Sequence, residues 1–151
     1  MIIGIISDTH GYFSPIINNY FKDVNLILHA GDIGSMTVIN SLENISKVEA
    51  IKGNMDHDFI WNTFTDQKIL EIKENKILLV HRLPYEYKKI AKEKNINIIV
   101  YGHTHSHEII EENGVLLINP GSAGNKHGLN TAALLEIDNN IKSKAQIINL
   151  I

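Results

Sequence analysis

The chain is laid out as short apolar runs, each stopping at a small polar cluster. Ile2-Ile3-Gly4-Ile5-Ile6 ends at Ser7-Asp8-Thr9-His10, and Leu26-Ile27-Leu28 ends at His29-Ala30-Gly31-Asp32. Val48-Glu49-Ala50-Ile51 runs into Lys52-Gly53-Asn54-Met55-Asp56. Ile77 to Val80 stops at His81, and Ile98 to Tyr101 stops at Gly102-His103-Thr104-His105. Short apolar runs bounded in this way read as buried strands. In the first third, strands at 2–7, 25–29 and 47–51 alternate with helices near 14–22 and 35–44. Ser14-Pro15 supplies a cap residue followed by proline at the first helical position. Alternation of this kind predicts parallel strands joined by crossover helices.

The pattern then changes. Residues 68–72 and 76–80 flank Lys73-Glu74-Asn75 as a hairpin. Tyr85 to Lys94 reads as a helix with Tyr87, Ile90 and Ala91 on its inner face, followed by a strand at 97–101. A second hairpin joins 108–111 to 115–118 through Asn113-Gly114, a strong turn dipeptide. A third joins 131–137 to 141–148 through Asp138-Asn139-Asn140. Parallel β-α units followed by hairpins predict an α/β (α+β) fold: a four-layer αββα sandwich of two mixed β-sheets flanked by helices. There is no internal repeat or linker, and 151 residues are expected to form a single domain over 1–151.

Composition removes several classes of function. A net charge of −3 argues against general nucleic-acid binding, which needs a basic face. The absence of cysteine excludes disulfides, thiolate zinc sites and cysteine nucleophiles. No basic segment precedes Ile2, and the apolar runs are too short to span a bilayer. The expected protein is cytoplasmic, with no membrane partner.

The carboxyl ends of parallel strands covered by helices open onto one edge. Asp8, His10, Asp32, Asn54, His81, His103 and His105 are therefore expected to meet there. These are oxygen and nitrogen donors without a thiol, enough for two metal ions sharing one bridging carboxylate. Taken singly the clusters are ambiguous. Asp8 and His10 sit two apart in extended backbone and point the same way, but they also fit a capping aspartate and a surface histidine. Gly31-Asp32 and Gly53-Asn54 are ordinary turn pairs as well as possible ligands; Asp32 has two oxygens with which to bridge. His103 and His105 after a buried strand form the strongest local signal. The conjunction of five clusters at five strand ends favours the metal centre.

The order Asp-x-His, Gly-Asp, Gly-Asn, His, Gly-His-x-His resembles that of the calcineurin-like metallophosphoesterases. Asn119-Pro120-Gly121-Ser122, the Gly-Asn-x-Asp form and the short length resemble the small prokaryotic phosphodiesterase branch, to which the retromer subunit is related. The resemblance runs from Ile2 to about Ile148. It implies that Asp8, His10, Asp32 and His105 hold one ion and that Asp32, Asn54, His81 and His103 hold the other, with Asn54 also serving catalysis. It further implies a phosphodiesterase whose two ions activate a bridging hydroxide for in-line attack on phosphorus. The donor set suits Mn²⁺, with Ni²⁺, Fe or Zn²⁺ as alternatives, better than Mg²⁺.

Two positions depart from the pattern. Many relatives have His after Gly-Asn, whereas this chain has Met55, which cannot donate a proton. After His81 relatives commonly have Gly, whereas this chain has Arg82. Arg82 either clamps a substrate phosphate or points to solvent or a surface acid. Asp56 is expected to orient a neighbouring ligand from behind. His29 supports Asp32 or packs beneath the site. His57 is a candidate for the missing acid, His107 exceeds what the pattern needs, and His127 lies in a loop expected to border the pocket. Phe59, Trp61 and Phe64 read as a core or homodimer contact rather than a base-stacking surface. The expected partner is a small phosphodiester. The alternative function is a non-catalytic metal-binding scaffold or protein-interaction module of the same fold, although that reading expects eroded ligands. A metallo-β-lactamase-like hydrolase fits poorly, because His105 is followed by Ser106-His107-Glu108 and the histidine pair comes late.

Overall fold

A computed structural model of the chain describes residues 1–124, 130–139 and 142–151. His127, Asn140 and Ile141 lie outside the described residues. Among the described residues the strands form two five-stranded sheets. The first contains β1 (Ile2–Ile6), β2 (Leu26–His29), β3 (Val48–Ala50), β9 (Thr131–Glu136) and β10 (Lys144–Asn149), in the order β10-β9-β1-β2-β3. The second contains β4 (Gln67–Ile72), β5 (Asn75–Val80), β6 (Ile98–Val100), β7 (Glu108–Glu112) and β8 (Val115–Asn119), in the order β4-β5-β6-β8-β7. Both sheets are mixed. β1, β2 and β3 run parallel, as do β5, β6 and β8, while the hairpin partners β4, β7, β9 and β10 pair antiparallel.

Three apolar layers hold the sandwich together. Between the sheets, Ile3, Ile5 and Leu28 belong to the same buried cluster as Ile77, Leu79, Ile98, Val100 and Ile118. On the outer side of the first sheet, Ile6 and Ile27 pack with Ile17 and Phe21 of α1 (Ile17–Phe21) and with Val38, Ile39 and Leu42 of α2 (Met36–Glu43). Alternate residues of β1 thus feed opposite faces, as the pleat requires. On the outer side of the second sheet, Leu78, Ile99 and Leu117 pack with Ala91, Tyr87 and Ile90 of α4 (Tyr87–Lys94). The result is the expected αββα order.

Local sequence explains two of the element ends. Ser35 caps α2 by accepting from Thr37 N–H at 3.2 Å. Asn113 and Gly114 have φ of 52° and 76°, the pair of left-handed residues that a tight I′ hairpin turn demands. Two expectations need correction. The first helix does not begin at Ser14-Pro15: these residues form a turn, and α1 starts at Ile17 without a side-chain cap. The chain also forms an additional helix, α3 (Asp58–Thr63), held by buried Ile60. Six residues with one buried position are too short to show a helical period.

Candidate metal centre

The two parallel triplets present their carboxyl ends at one edge, and all seven expected donors converge there. Asp8 follows β1, Asp32 follows β2, Asn54 follows β3, His81 follows β5, and His103 and His105 follow β6. One group of close donor atoms comes from Asp8, His10 and His105; another comes from Asp8, Asp32 and His81. His105 Nε2 lies 3.3 Å from Asp8 Oδ1 and 3.4 Å from His10 Nε2. His81 Nε2 lies 3.0 Å from Asn54 Oδ1 and 3.4 Å from Asp32 Oδ2. The His103 ring stands edge-on to His81, with centroids 5.2 Å apart.

The backbone is bent to achieve this. Asp8, His10, Asp32, His103 and His105 all have φ between 47° and 69°, in the left-handed region that non-glycine residues rarely adopt. Five such residues at one sheet edge store strain of the kind found at functional sites. Glycines make room beside them. A Cβ on Gly53 would collide with the Asp32 backbone and carboxylate, and one on Gly102 would meet Ser7 Oγ and approach Asp8 Oδ2 to 2.6 Å.

Each carboxylate has one oxygen anchored by a backbone N–H. Asp8 Oδ2 accepts from Ser7 Oγ at 2.6 Å and from His103 N–H at 3.0 Å. Asp8 Oδ1 is buried and has no hydrogen-bond partner among the described residues. Asp32 Oδ1 accepts from Met55 N–H at 2.8 Å, leaving Oδ2 toward His81. His81 donates through Nδ1 to Ala30 O at 2.7 Å. In neutral His81 the Nε2 lone pair therefore faces Asn54 Oδ1 and Asp32 Oδ2. Three acceptors aimed at one another, together with an orphaned carboxylate oxygen, fit bound cations. Nitrogen and hard oxygen donors in this mixture suit divalent transition metals.

The electrostatics agree with a site built for positive charge. Burial alone would raise the Asp32 carboxyl, but the bonds from His81 and Met55 outweigh it and hold the group below its ordinary range. Burial pulls His81 down, yet its bonds to Asp32 and Ala30 O carry it above its ordinary value. His103 is pushed down, first by burial and then by Arg82 and His81.

Asp56 and His29 hold the floor. Buried Asp56 accepts from Gly53 N–H at 2.8 Å, Gly34 N–H at 2.8 Å and Ile33 N–H at 3.1 Å. One carboxylate thus ties the loop carrying Asn54 to the loop carrying Asp32. His29 Nδ1 accepts from Gly31 N–H at 3.2 Å, so the hydrogen on Nε2 points to Thr9 Oγ1 at 2.9 Å, which in turn donates to Ile33 O. His29 packs beneath the site rather than bonding Asp32, and burial drives its pKa down to about 3.

The rim is different in character. Arg82 is exposed and lines a shallow groove of about 260 Å³ with Lys52, Gly53, Asn54, Trp61, Asp66, Val80 and His81. His57 and His107 are both exposed; His57 is the residue preceding α3. Phe64 packs against the core, but Phe59 and Trp61 are 66% and 47% exposed, which overturns a core role for those two. The sequence pattern assigns Thr104 and Asn119 no structural role at the site. Asn119 Nδ2 donates to Gly102 O and Thr104 Oγ1, bracing the histidine loop from β8.

Among the described residues, no helix is long and apolar enough to cross a membrane. Comparison with known proteins agrees with the geometry. The family model described as the calcineurin-like phosphoesterase superfamily domain matches residues 1–140. A probable metallophosphoesterase of Methanocaldococcus jannaschii is 35% identical over 136 residues, covering 81% of this chain and 68% of that one. A phosphodiesterase of the same organism is 31% identical over 156 residues, covering 91% and 94%. Among solved structures, an archaeal phosphodiesterase superposes with a TM-score of 0.78 at 29% identity, covering 98% and 100%. Vps29 of Entamoeba histolytica in complex with Zn²⁺ shares the fold, with a TM-score of 0.78 at 20% identity and full coverage of both chains, 100% and 100%. The fold, the converging donors and the family match together identify the chain as a member of the calcineurin-like phosphoesterase superfamily.

Proposed function

We propose that this metallophosphoesterase is a dinuclear phosphodiesterase acting on a small phosphodiester in the cytoplasm. The observation that carries the reading is Asp8 Oδ1, a buried carboxylate oxygen with no donor, lying 3.3 Å from His105 Nε2 at an edge where six further donors converge. Asp8, His10, Asp32 and His105 would hold one ion, and Asp32, Asn54, His81 and His103 the other. Manganese is the preferred occupant; nickel, iron and zinc suit the same donors. When bound, a pair of divalent ions supplies Lewis-acid stabilisation of phosphate charge and makes water more acidic.

The chain's own residues do the rest. Asp32, beside His81, would supply the carboxylate shared between the two ions, and Asp8 belongs to both groups of close donor atoms. Asp56 holds the Asp32 and Asn54 loops together. Arg82, on the groove beside Asn54 and His81, offers paired N–H donors to a non-bridging phosphate oxygen. Water is the nucleophile: its oxygen bonds phosphorus as the opposite P–O bond breaks, and no side chain becomes esterified. Met55 cannot protonate the departing oxygen, so esters whose leaving group is stable as an anion are favoured.

The test is hydrolysis of aryl diesters, aryl monoesters and cyclic nucleotides by protein loaded in turn with Mn²⁺, Ni²⁺, Fe²⁺, Zn²⁺ and Mg²⁺. The expected result is faster turnover of aryl diesters than of monoesters with a transition metal. Binding of two ions with no hydrolysis of any ester would replace the enzyme with a scaffold of the same fold.

A further inference from the structure

The groove at the metal centre carries one aromatic side chain that the hydrolytic chemistry leaves unused. Trp61 is 47% exposed. It lines the same groove as Asn54, His81 and Arg82. Its position is set from three directions. Ile60, the adjacent residue of α3, is buried in the core. Asp56, five residues earlier, is locked by its three backbone bonds. The Lys52 ammonium stands 3.9 Å from the ring centroid and donates to Trp61 O at 3.1 Å, while Asp66 lies 3.7 Å from the same ammonium. Lys52 covers one face of the indole and leaves much of the residue in solvent. A fixed, exposed indole bordering a charged groove is a stacking surface for a flat ring, because aromatic faces hold planar π systems by offset stacking.

We propose that Trp61 is a specificity-determining residue that stacks on an aromatic group retained by the substrate, so that the physiological esters are phosphodiesters bearing a nucleobase or another aryl ring. The inference rests on the phosphodiesterase reading. The phosphate sits between the donors and Arg82, and the ring lies along the groove on Trp61. Continuity of Trp61 with Asn54 and His81 in a single groove favours a substrate ring over a second protein copy as the occupant.

The test compares two esters with the same leaving group, bis(p-nitrophenyl) phosphate and methyl p-nitrophenyl phosphate. They differ only in the group that stays on phosphorus. The ratio of their kcat/KM values is measured in the parent protein and in Trp61→Ala and Trp61→Phe. The expected result is a parent ratio favouring the aryl ester, a fall of about tenfold or more in Trp61→Ala, carried mainly by KM, and substantial recovery in Trp61→Phe. An unchanged ratio in Trp61→Ala, with both esters still hydrolysed, overturns the stacking role and leaves the phosphodiesterase reading standing. Failure of the parent to hydrolyse either ester overturns both. Conversion of a dimer to a monomer by Trp61→Ala in sedimentation velocity, with the ratio unchanged, assigns the ring to a contact between copies and also overturns the proposal.

Discussion

Met55 donates its backbone N–H to Asp32 Oδ1 at 2.8 Å while its side chain projects into solvent, 55% exposed. The backbone of position 55 therefore belongs to the metal centre, and its exposed side chain directly follows Asn54. A new side chain there changes the chemistry without removing the bond to Asp32. Met55→His should raise kcat/KM for esters with poor alkoxide leaving groups more than for nitrophenyl esters, because acid assistance matters most when the leaving oxygen is basic. A graded series of leaving groups measures this. An equal effect across the series would contradict it.

Asp56→Ala should be among the most damaging substitutions behind the site. It leaves the N–H groups of Ile33, Gly34 and Gly53 without their acceptor. An unsatisfied buried donor costs about 1–3 kcal/mol, so a loss of at least ~2 kcal/mol in urea unfolding is expected, together with weaker metal binding. Asp56→Asn, which keeps one acceptor oxygen, should fall between the two.

Asp32→Ala should sharply reduce occupancy of both metal positions and abolish diester hydrolysis, since the proposed centre shares the Asp32 carboxylate between its two ions and that carboxylate stands with Asp8 and His81 in one group of close donors. Metal content after dialysis and turnover of an aryl diester are the readouts. Two retained ions with near-parental turnover would remove the shared role.

The metal-free protein should lose stability on mild acidification because of His29. Burial lowers its folded pKa to about 3, against an ordinary 6.5. A depressed histidine binds its proton preferentially in the unfolded chain, so its stabilising contribution is complete above pH 6.5 and declines as pH falls toward 3, by up to ~1.4 kcal/mol per pH unit. His81 runs the opposite way: with its pKa raised, its contribution is present below 6.5 and is lost as pH rises through the folded value. Denaturation midpoints between pH 6.5 and 5 should therefore fall less steeply in His29→Gln than in the parent chain.

The parts of this structure legible in sequence are those that local chemistry decides. The run Ile2–Ile6 followed by Asp8 and the Asn113-Gly114 turn each announce themselves within a few residues. So do the donors, because a parallel strand delivers whatever follows it to a common edge. Helix α3 was not legible, since Ile60 is its single buried residue and its aromatic neighbours face solvent. The position of β9 beside β1 and the three bonds to Asp56 depend on contacts between distant segments. The left-handed backbone at Asp8 and His105 likewise depends on tertiary structure, because even aspartate and histidine, which adopt it more often than other side chains, do so uncommonly.

The central claim is tested most directly by titrating metal-free protein with Mn²⁺ while following hydrolysis of bis(p-nitrophenyl) phosphate and counting bound ions. The account predicts no turnover in chelator and a rise on addition of metal to a plateau at two bound ions per chain. Full turnover after verified removal of all metal, or a plateau reached with a single bound ion, would contradict it.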